Sequence, residues 1–288
     1  MNFEARQAAY KRQVEDGLNA LAFEGTPDRL RQAMRYSLLS GGKRVRGVLA
    51  LAACDMAGGE TRNAMPFALG VEMIHAYSLI HDDLPAMDND TLRRGKPTSH
   101  VVYGEATAIL AGDGLLTEAF RVMSACRAPG ALAALSRVAL AAGSAGMVGG
   151  QVLDMEKGAP LTGLDAVKAI HARKTGCMMT APVEAGLIVA GADADALAAG
   201  QTFARHLGVA FQVVDDVLDT VGDEKKLGKH LHKDAQEDKM TWVRAVGLEQ
   251  ARRDARTETA AAVAALAPFG GKADFLRAFA QSLMERAF

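Results

Sequence analysis

His81-Asp82-Asp83-Leu84-Pro85-Ala86-Met87-Asp88-Asn89-Asp90 closes an apolar run, Ala68 to Ile80, that reads as a helix. A buried-looking helix that ends in several aspartates needs a physical reason. Neighbouring carboxylates repel and are costly to desolvate unless positive charge lies between them. Hard divalent cations meet that need, since Mg2+ takes oxygen ligands and couples carboxylates to phosphate-bearing substrates. Arg93, Arg94 and Lys96 follow at once, so acid and base stand side by side. Those cations suit phosphate oxygens. Pro85 is expected to end the helix, so that Asp88 returns from a loop.

A second stretch has the same form. Phe211-Gln212-Val213-Val214-Asp215-Asp216-Val217-Leu218-Asp219 again puts paired aspartates at the end of an apolar helical run. Residues three and four apart share a helix face, so Gln212, Asp215, Asp216 and Asp219 are expected to form one polar stripe. One aspartate pair at a helix end is most simply a solvated terminus. Two pairs of matching form, each after an apolar run and each followed by basic residues, argue for a shared task.

At this point the chain resembles the trans-isoprenyl diphosphate synthases. The residues that carry the resemblance are DDx4D at Asp82 to Asp88, the LRRG at Leu92 to Gly95, and DDxxD at Asp215 to Asp219. It runs from about Ser40 to Thr241, with helices expected on both sides. The resemblance implies an all-α fold, a bundle of ten or more helices around a central cavity, in one domain over residues 1–288. It makes Asp82, Asp83, Asp88, Asp215, Asp216 and Asp219 the ligands of Mg2+, three ions per site.

Gly41-Gly42-Lys43-Arg44-Val45-Arg46 puts cations at a glycine-rich helix start, where backbone N–H groups and the helix dipole favour an anion. By itself that pattern also fits a turn with a solvated basic face. The synthases carry GGKRxR here, and the resemblance assigns Gly42, Lys43 and Arg46 to the diphosphate of isopentenyl diphosphate. His75 lies seven residues before Asp82, on almost the same helical angle, and should face the cavity. A lone histidine is more often structural; the resemblance puts His75 with Arg94 on the same diphosphate. It puts Arg93 and Lys174 on the allylic diphosphate, with Lys229 and Lys239 of a late loop. Thr175 and Gln212, with Lys174, would face the developing carbocation. Gln151 and Asp154, in a GQxxD, would line the cavity. His230-Leu231-His232, Met240 and Val243 depart from the family's usual late loop, which bears on Lys229, Lys233 and Lys239.

Tyr77 stands five residues before Asp82, roughly 7.5 Å deeper along the helix at about 1.5 Å per residue. Its side chain leans deeper still. An aromatic there would floor the cavity, and with DDx4D this is similar to the bacterial farnesyl diphosphate synthases. The implied reaction joins isopentenyl diphosphate to dimethylallyl or geranyl diphosphate and stops at farnesyl diphosphate. Rival readings are a synthase that stops at C10 or continues to C20, a terpene cyclase, and a non-catalytic subunit of a prenyl synthase. A cyclase does not need the cations for a second diphosphate. A non-catalytic subunit should have lost aspartates.

Composition narrows the class. The net charge is -1 and aromatics are 5%, which points away from nucleic acid and anionic membranes. Cys54, Cys126 and Cys177 are odd in number and contain no CxxC, which suits a reducing cytoplasm. No signal peptide and no stretch long enough to span a bilayer is expected. The family's usual state is a homodimer. Helices are expected over 3–23, from Pro27 to Leu39, 43–56, 104–125, 131–142, 148–157, 162–174, 178–190, 193–207 and 209–219. A loop is expected over 222–239, two or three helices after it, and essentially no sheet.

Overall fold

The computed structural model describes residues 2–155, 163–221 and 241–284. The chain is all-α there. Its helices are α1 (Phe3–Ala20), α2 (Asp28–Leu38), α3 (Val45–Met56), α4 (Thr61–Asp82), α5 (Ser99–Tyr103), α6 (Glu105–Ser124) and α7 (Ala131–Ala142). Then come α8 (Met147–Met155), α9 (Gly163–His171), a π turn (Ala172–Gly176), α10 (Cys177–Val189) and α11 (Ala194–Val221). The last are α12 (Trp242–Val246), α13 (Leu248–Ala265), a 3-10 turn (Ala267–Ala273) and α14 (Asp274–Met284).

Helix α4 is apolar nearly all round, from Ala64 to Ile80, and such a helix belongs in the centre. It is packed by α1, α2, α3, α6 and α10. The core around it holds Phe67, Met73, Ile74, Leu49, Leu51 and Phe203, all fully buried. A smaller core lies between α11 and the last helices, built from Val167, Val213, Val214, Val217, Trp242, Ala251 and Ala255. The two acidic stretches thus end helices that belong to neighbouring parts of one packing.

Three expectations need correction, and a fourth, essentially no sheet, holds apart from one small antiparallel hairpin over residues 92–97, β1 (Leu92–Arg93) against β2 (Lys96–Pro97). Arg94 and Gly95 at its tip both have positive φ, 54° and 73°, as a type I′ turn demands. The expected break at Gly208 is absent, for α11 runs unbroken from Ala194 to Val221. Glycine is there for close approach: a Cβ on Gly208 would stand 3.2 Å from the Cα of Gly176. The expected gap after Lys174 is absent too, because the π turn carries α9 directly into α10. Lastly, residues 131–155 do reach a membrane span's length and composition, with mean hydropathy 1.5. The chain spends that stretch on two separate helices, parted where Gly143 turns extended (φ -79°, ψ -165°).

Tight helix contacts set the frame. A Cβ on Gly186 of α10 would lie 2.3 Å from the Ala50 carbonyl oxygen and 3.0 Å from the Cys54 nitrogen, both backbone of α3. Backbone cannot swing aside as a side chain can, so Gly186→Ala should cost about 2–3 kcal/mol. Urea unfolding should show a lower midpoint with an unchanged slope. An unchanged midpoint would mean that α3 and α10 part freely.

Candidate active site

A cavity of about 620 Å³ opens between the C-terminal half of α4, the hairpin, α8, the π turn and α11. Asp82 lines it from α4 and Asp215 from α11. Arg46, His75, Arg93, Arg94, Lys174, Thr175, Gln151, Gln212 and Tyr77 line it as well. The residues singled out from separate stretches of sequence therefore meet on one surface.

The acidic end of α4 is built by the loop that Pro85 starts. The Asp88 N–H donates to the Asp82 carbonyl at 2.8 Å, and the Asp90 N–H to the Asp83 carbonyl at 3.1 Å. This return brings Asp88 back beside Asp82. Burial, then the nearby carboxylates of Asp88 and Asp83, push the Asp82 carboxyl up to about 6, while Lys174 and Arg93 pull the other way. Burial pushes the Asp83 carboxyl up as well, but here Arg93 bonds directly against it. Asp83 is buried and accepts from Arg93 Nε at 2.8 Å and Nη2 at 2.6 Å. Burial works against the charge of Arg93, but its bonds to Asp83 hold its pKa above the ordinary value.

The basic wall has its own logic. Gly41 (φ 87°), Gly42 (φ 122°) and Arg44 (φ 51°) turn the chain into α3. Arg44 points inward, donates to the Leu38 carbonyl at 2.9 Å and lies 3.7 Å from Glu72. Arg46 faces the cavity instead, and Lys43 is exposed on the turn, outside the cavity lining. Gly42 leaves room for the Arg94 guanidinium, which would lie 2.8 Å from a Cβ there and bonds to the Gly41 carbonyl. Burial depresses Arg46, although Glu72 and Asp215 support its charge. Burial, then Arg46, Arg94 and Arg93, hold His75 well below the usual imidazole range. Among the described residues Arg46 Nε is buried without a hydrogen-bond partner. A wall of desolvated cations with an orphaned donor suits an anion.

On the third side Lys174 Nζ donates to Asp154 at 2.6 Å, so Asp154 stands behind Lys174 while Gln151 faces the cavity. Gly150 lets α8 press onto the π turn: a Cβ would lie 2.2 Å from the Lys174 nitrogen. Along α11, Gln212, Asp215 and Asp219 form the half-buried stripe, but Asp216 is buried with the packed face. Lys229, Lys239 and the stretch His230-Leu231-His232 lie outside the described residues. Sequence reasoning missed the apolar wall. Met147, Val148, Val152 and Met155 of α8 join Phe211 and Met87 in lining the cavity. Their spacing on α8, on one face with Gln151, was the available signal. It also missed His81, whose ring meets the Tyr77 ring edge-on at 5.6 Å and whose Nε2 lies 3.0 Å from the Ile109 carbonyl. Gly112 makes that seat, since a Cβ there would fall 2.1 Å from the ring.

The oxygen-only acidic groups suit Mg2+ in kind. Among the described residues no three His, Cys, Asp or Glu side chains close on a metal by themselves.

Known proteins bear on this geometry. The polyprenyl synthetase family model matches residues 27–268. The chain is 41% identical over 292 residues to a geranylgeranyl diphosphate synthase of Cyanophora paradoxa, covering 99% of this chain and 97% of that one. It is 49% identical over 232 residues to a farnesyl diphosphate synthase of Geobacillus stearothermophilus, covering 78% of each. The solved geranyltransferase structure from Legionella pneumophila superposes with a TM-score of 0.86 at 32% identity, over 99% of this chain and 97% of that one.

The raised Asp82 carboxyl has a stability consequence. Folded, it keeps its proton up to about pH 6; unfolded, only to about pH 4. Folding therefore binds protons between those values, and stability falls as pH rises through that window. The metal-free Asp82→Asn variant should exceed the parent by roughly 2–3 kcal/mol near neutral pH, and the gain should vanish toward about pH 4. Denaturant titrations across that range check it; a gain independent of pH would contradict the assignment.

Proposed function

We propose a specific reaction for this chain, which belongs to the polyprenyl synthetase family: Mg2+-dependent condensation of isopentenyl diphosphate with dimethylallyl and then geranyl diphosphate, ending at farnesyl diphosphate. The observation that carries it is the meeting of Asp82, Asp215, Arg46, Arg93, Arg94, Lys174 and His75 around one cavity whose remaining wall is apolar. The whole chain serves as one catalytic domain.

When bound, Mg2+ supplies Lewis-acid stabilisation of the allylic diphosphate as its carbon–oxygen bond breaks. Asp82 at the end of α4 and Asp88 on the loop after it would hold it from one side, and Asp215 and Asp219 of α11 from the other. Arg93 and Lys174 grip the departing diphosphate, each already aimed by a carboxylate, Asp83 and Asp154. Arg46, Arg94 and His75, with Lys43 at the rim, take the diphosphate of isopentenyl diphosphate. Preorganised charge of this sort is often the largest catalytic term. Thr175 and Gln212 present oxygens to the allylic cation, and Phe211, Met147 and Val148 keep water from it. The double bond of isopentenyl diphosphate attacks that cation, and a proton is lost to the released diphosphate.

Tyr77 sets where growth stops. It is 6% exposed, faces the cavity and leans on His81, which is itself backed by Gly112. A C20 product is the rival, favoured by the full-length likeness to the Cyanophora protein. We place the enzyme in the cytoplasm, where its three free cysteines stay reduced. A second copy would cover exposed apolar side chains such as Val101, Val102, Ile109 and Leu110 on α5 and α6.

Incubation with Mg2+, labelled isopentenyl diphosphate and dimethylallyl diphosphate should give a C15 diphosphate, abolished by a chelator. No condensation with either allylic substrate would sink the reading, and a C20 product would shift it to the rival. Tyr77→Ala should lengthen the product in the same assay. Unchanged C15 output from a folded variant would remove Tyr77 as the floor.

A further inference from the structure

Asp215 and Asp216 are neighbours on α11 with different surroundings. Asp215 lines the cavity, whereas Asp216 is 7% exposed and sits in the smaller core beside Val213, Val217 and Trp242. Asp216 Oδ2 accepts the backbone N–H of Trp242, the first residue of α12, at 2.6 Å. Turning that carboxylate toward the cavity would strand a buried N–H, at about 1–3 kcal/mol.

The bond leads back to the active site. The Trp242 ring stacks on His171, with centroids 6.1 Å apart and planes 18° apart, and His171 Nε2 lies 3.9 Å from the same Asp216 oxygen. The indole N–H donates to Asp254 of α13 at 2.8 Å, and the Lys168 ammonium lies 5.8 Å from the ring centroid. So the ring is fixed from several sides. His171 ends α9 and immediately precedes the π turn that presents Lys174 and Thr175 to the cavity.

We propose that Asp216 is a positioning residue and not a ligand of the cation. Its carboxylate fixes Trp242, Trp242 fixes His171, and His171 sets the π turn that aims Lys174 and Thr175. The use made of Lys174 and Thr175 rests on the prenyltransferase reading; the brace does not.

Trp242 is the only tryptophan in the chain, so its emission reports the brace without metal or substrate. Asp216→Ala should shift that emission to the red in the metal-free protein. It should also lower kcat about tenfold while the half-saturating Mg2+ concentration stays within about twofold. Asp216→Asn keeps a carbonyl oxygen for the Trp242 N–H and should restore the emission and most of kcat. Asp215→Asn should do the reverse, raising the Mg2+ requirement about tenfold or more with the emission untouched. Trp242→Leu leaves Asp216 in place and should repeat the kcat loss at an unchanged Mg2+ requirement, which keeps the test open if Asp216→Ala does not fold. An Mg2+ requirement raised as far in Asp216→Asn as in Asp215→Asn would overturn the proposal, as would full activity in Trp242→Leu. If the parent protein condenses no prenyl diphosphate, the prenyltransferase reading falls, and the emissions of the Asp216 variants still decide the brace.

Discussion

Charge kept out of water without an opposite charge beside it is the constraint the site answers to. Burial pushes the Asp82 carboxyl up on one wall of the cavity and pulls His75 and Arg46 down on the other. Other charges are matched internally: Arg44, turned away from the cavity, has Glu72 beside it, and Arg93 on the cavity wall has Asp83. Asp82 on one side and His75 and Arg46 on the other are left strained in opposite senses, and they face the same space. A cation on the acidic side and phosphate oxygens on the basic side relieve both at once. Asp154 shows a graded case, because it steadies Lys174 while leaving that ammonium on the cavity wall.

Glycine makes these placements possible by letting bulk approach where a Cβ would forbid it. Gly42 seats the Arg94 guanidinium, Gly112 seats the His81 ring, Gly150 admits the Lys174 backbone, and Gly208 admits Gly176. Each contact joins a cavity residue, or the turn that carries one, to a different element of the chain. In this chain a glycine inside an apolar helical run can signal close packing instead of an end. That double meaning explains why Gly208 reads as a break in the sequence although α11 is continuous.

The legible part of the site was the part with local spacing. Two acidic helix ends, His75 seven residues before Asp82, and the glycine-basic turn before α3 all follow from periodicity and charge. The loop return of Asp88 followed from Pro85. What spacing could not show was which side of a helix is covered by distant chain. Asp216 shares a nominal stripe with Gln212 and Asp219, but it is buried where Trp242, at the start of α12, donates its backbone N–H to it. The hairpin was hidden because Arg94-Gly95 is a weak turn signal beside Asn-Gly. The α8 wall was hidden because Val148, Val152 and Met155 are partly exposed and look like an ordinary apolar face until α4 and α11 stand opposite. In the stretch 131–155, hydropathy alone is blind to the single extended residue that divides it.

The π turn draws these threads together. An α-helix advances about 100° per residue, so one extra residue in a turn rotates everything after it by that amount. Without the extra residue, the rod from α9 to α10 would have to choose between facing Lys174 and Thr175 to the cavity and keeping α10 apolar all round. Helix α10 needs the second, since Met178 to Leu187 is buried on nearly every side against α3, α7 and α11. The cavity needs the first. A local change of helical phase satisfies both, and two glycines, Gly150 and Gly208, clear the space on either side of it. Such a turn departs from the i→i−4 bonding of the helix around it, and contacts from outside bear on its position. His171, held flat against Trp242 at the entrance to the turn, is placed to supply that support.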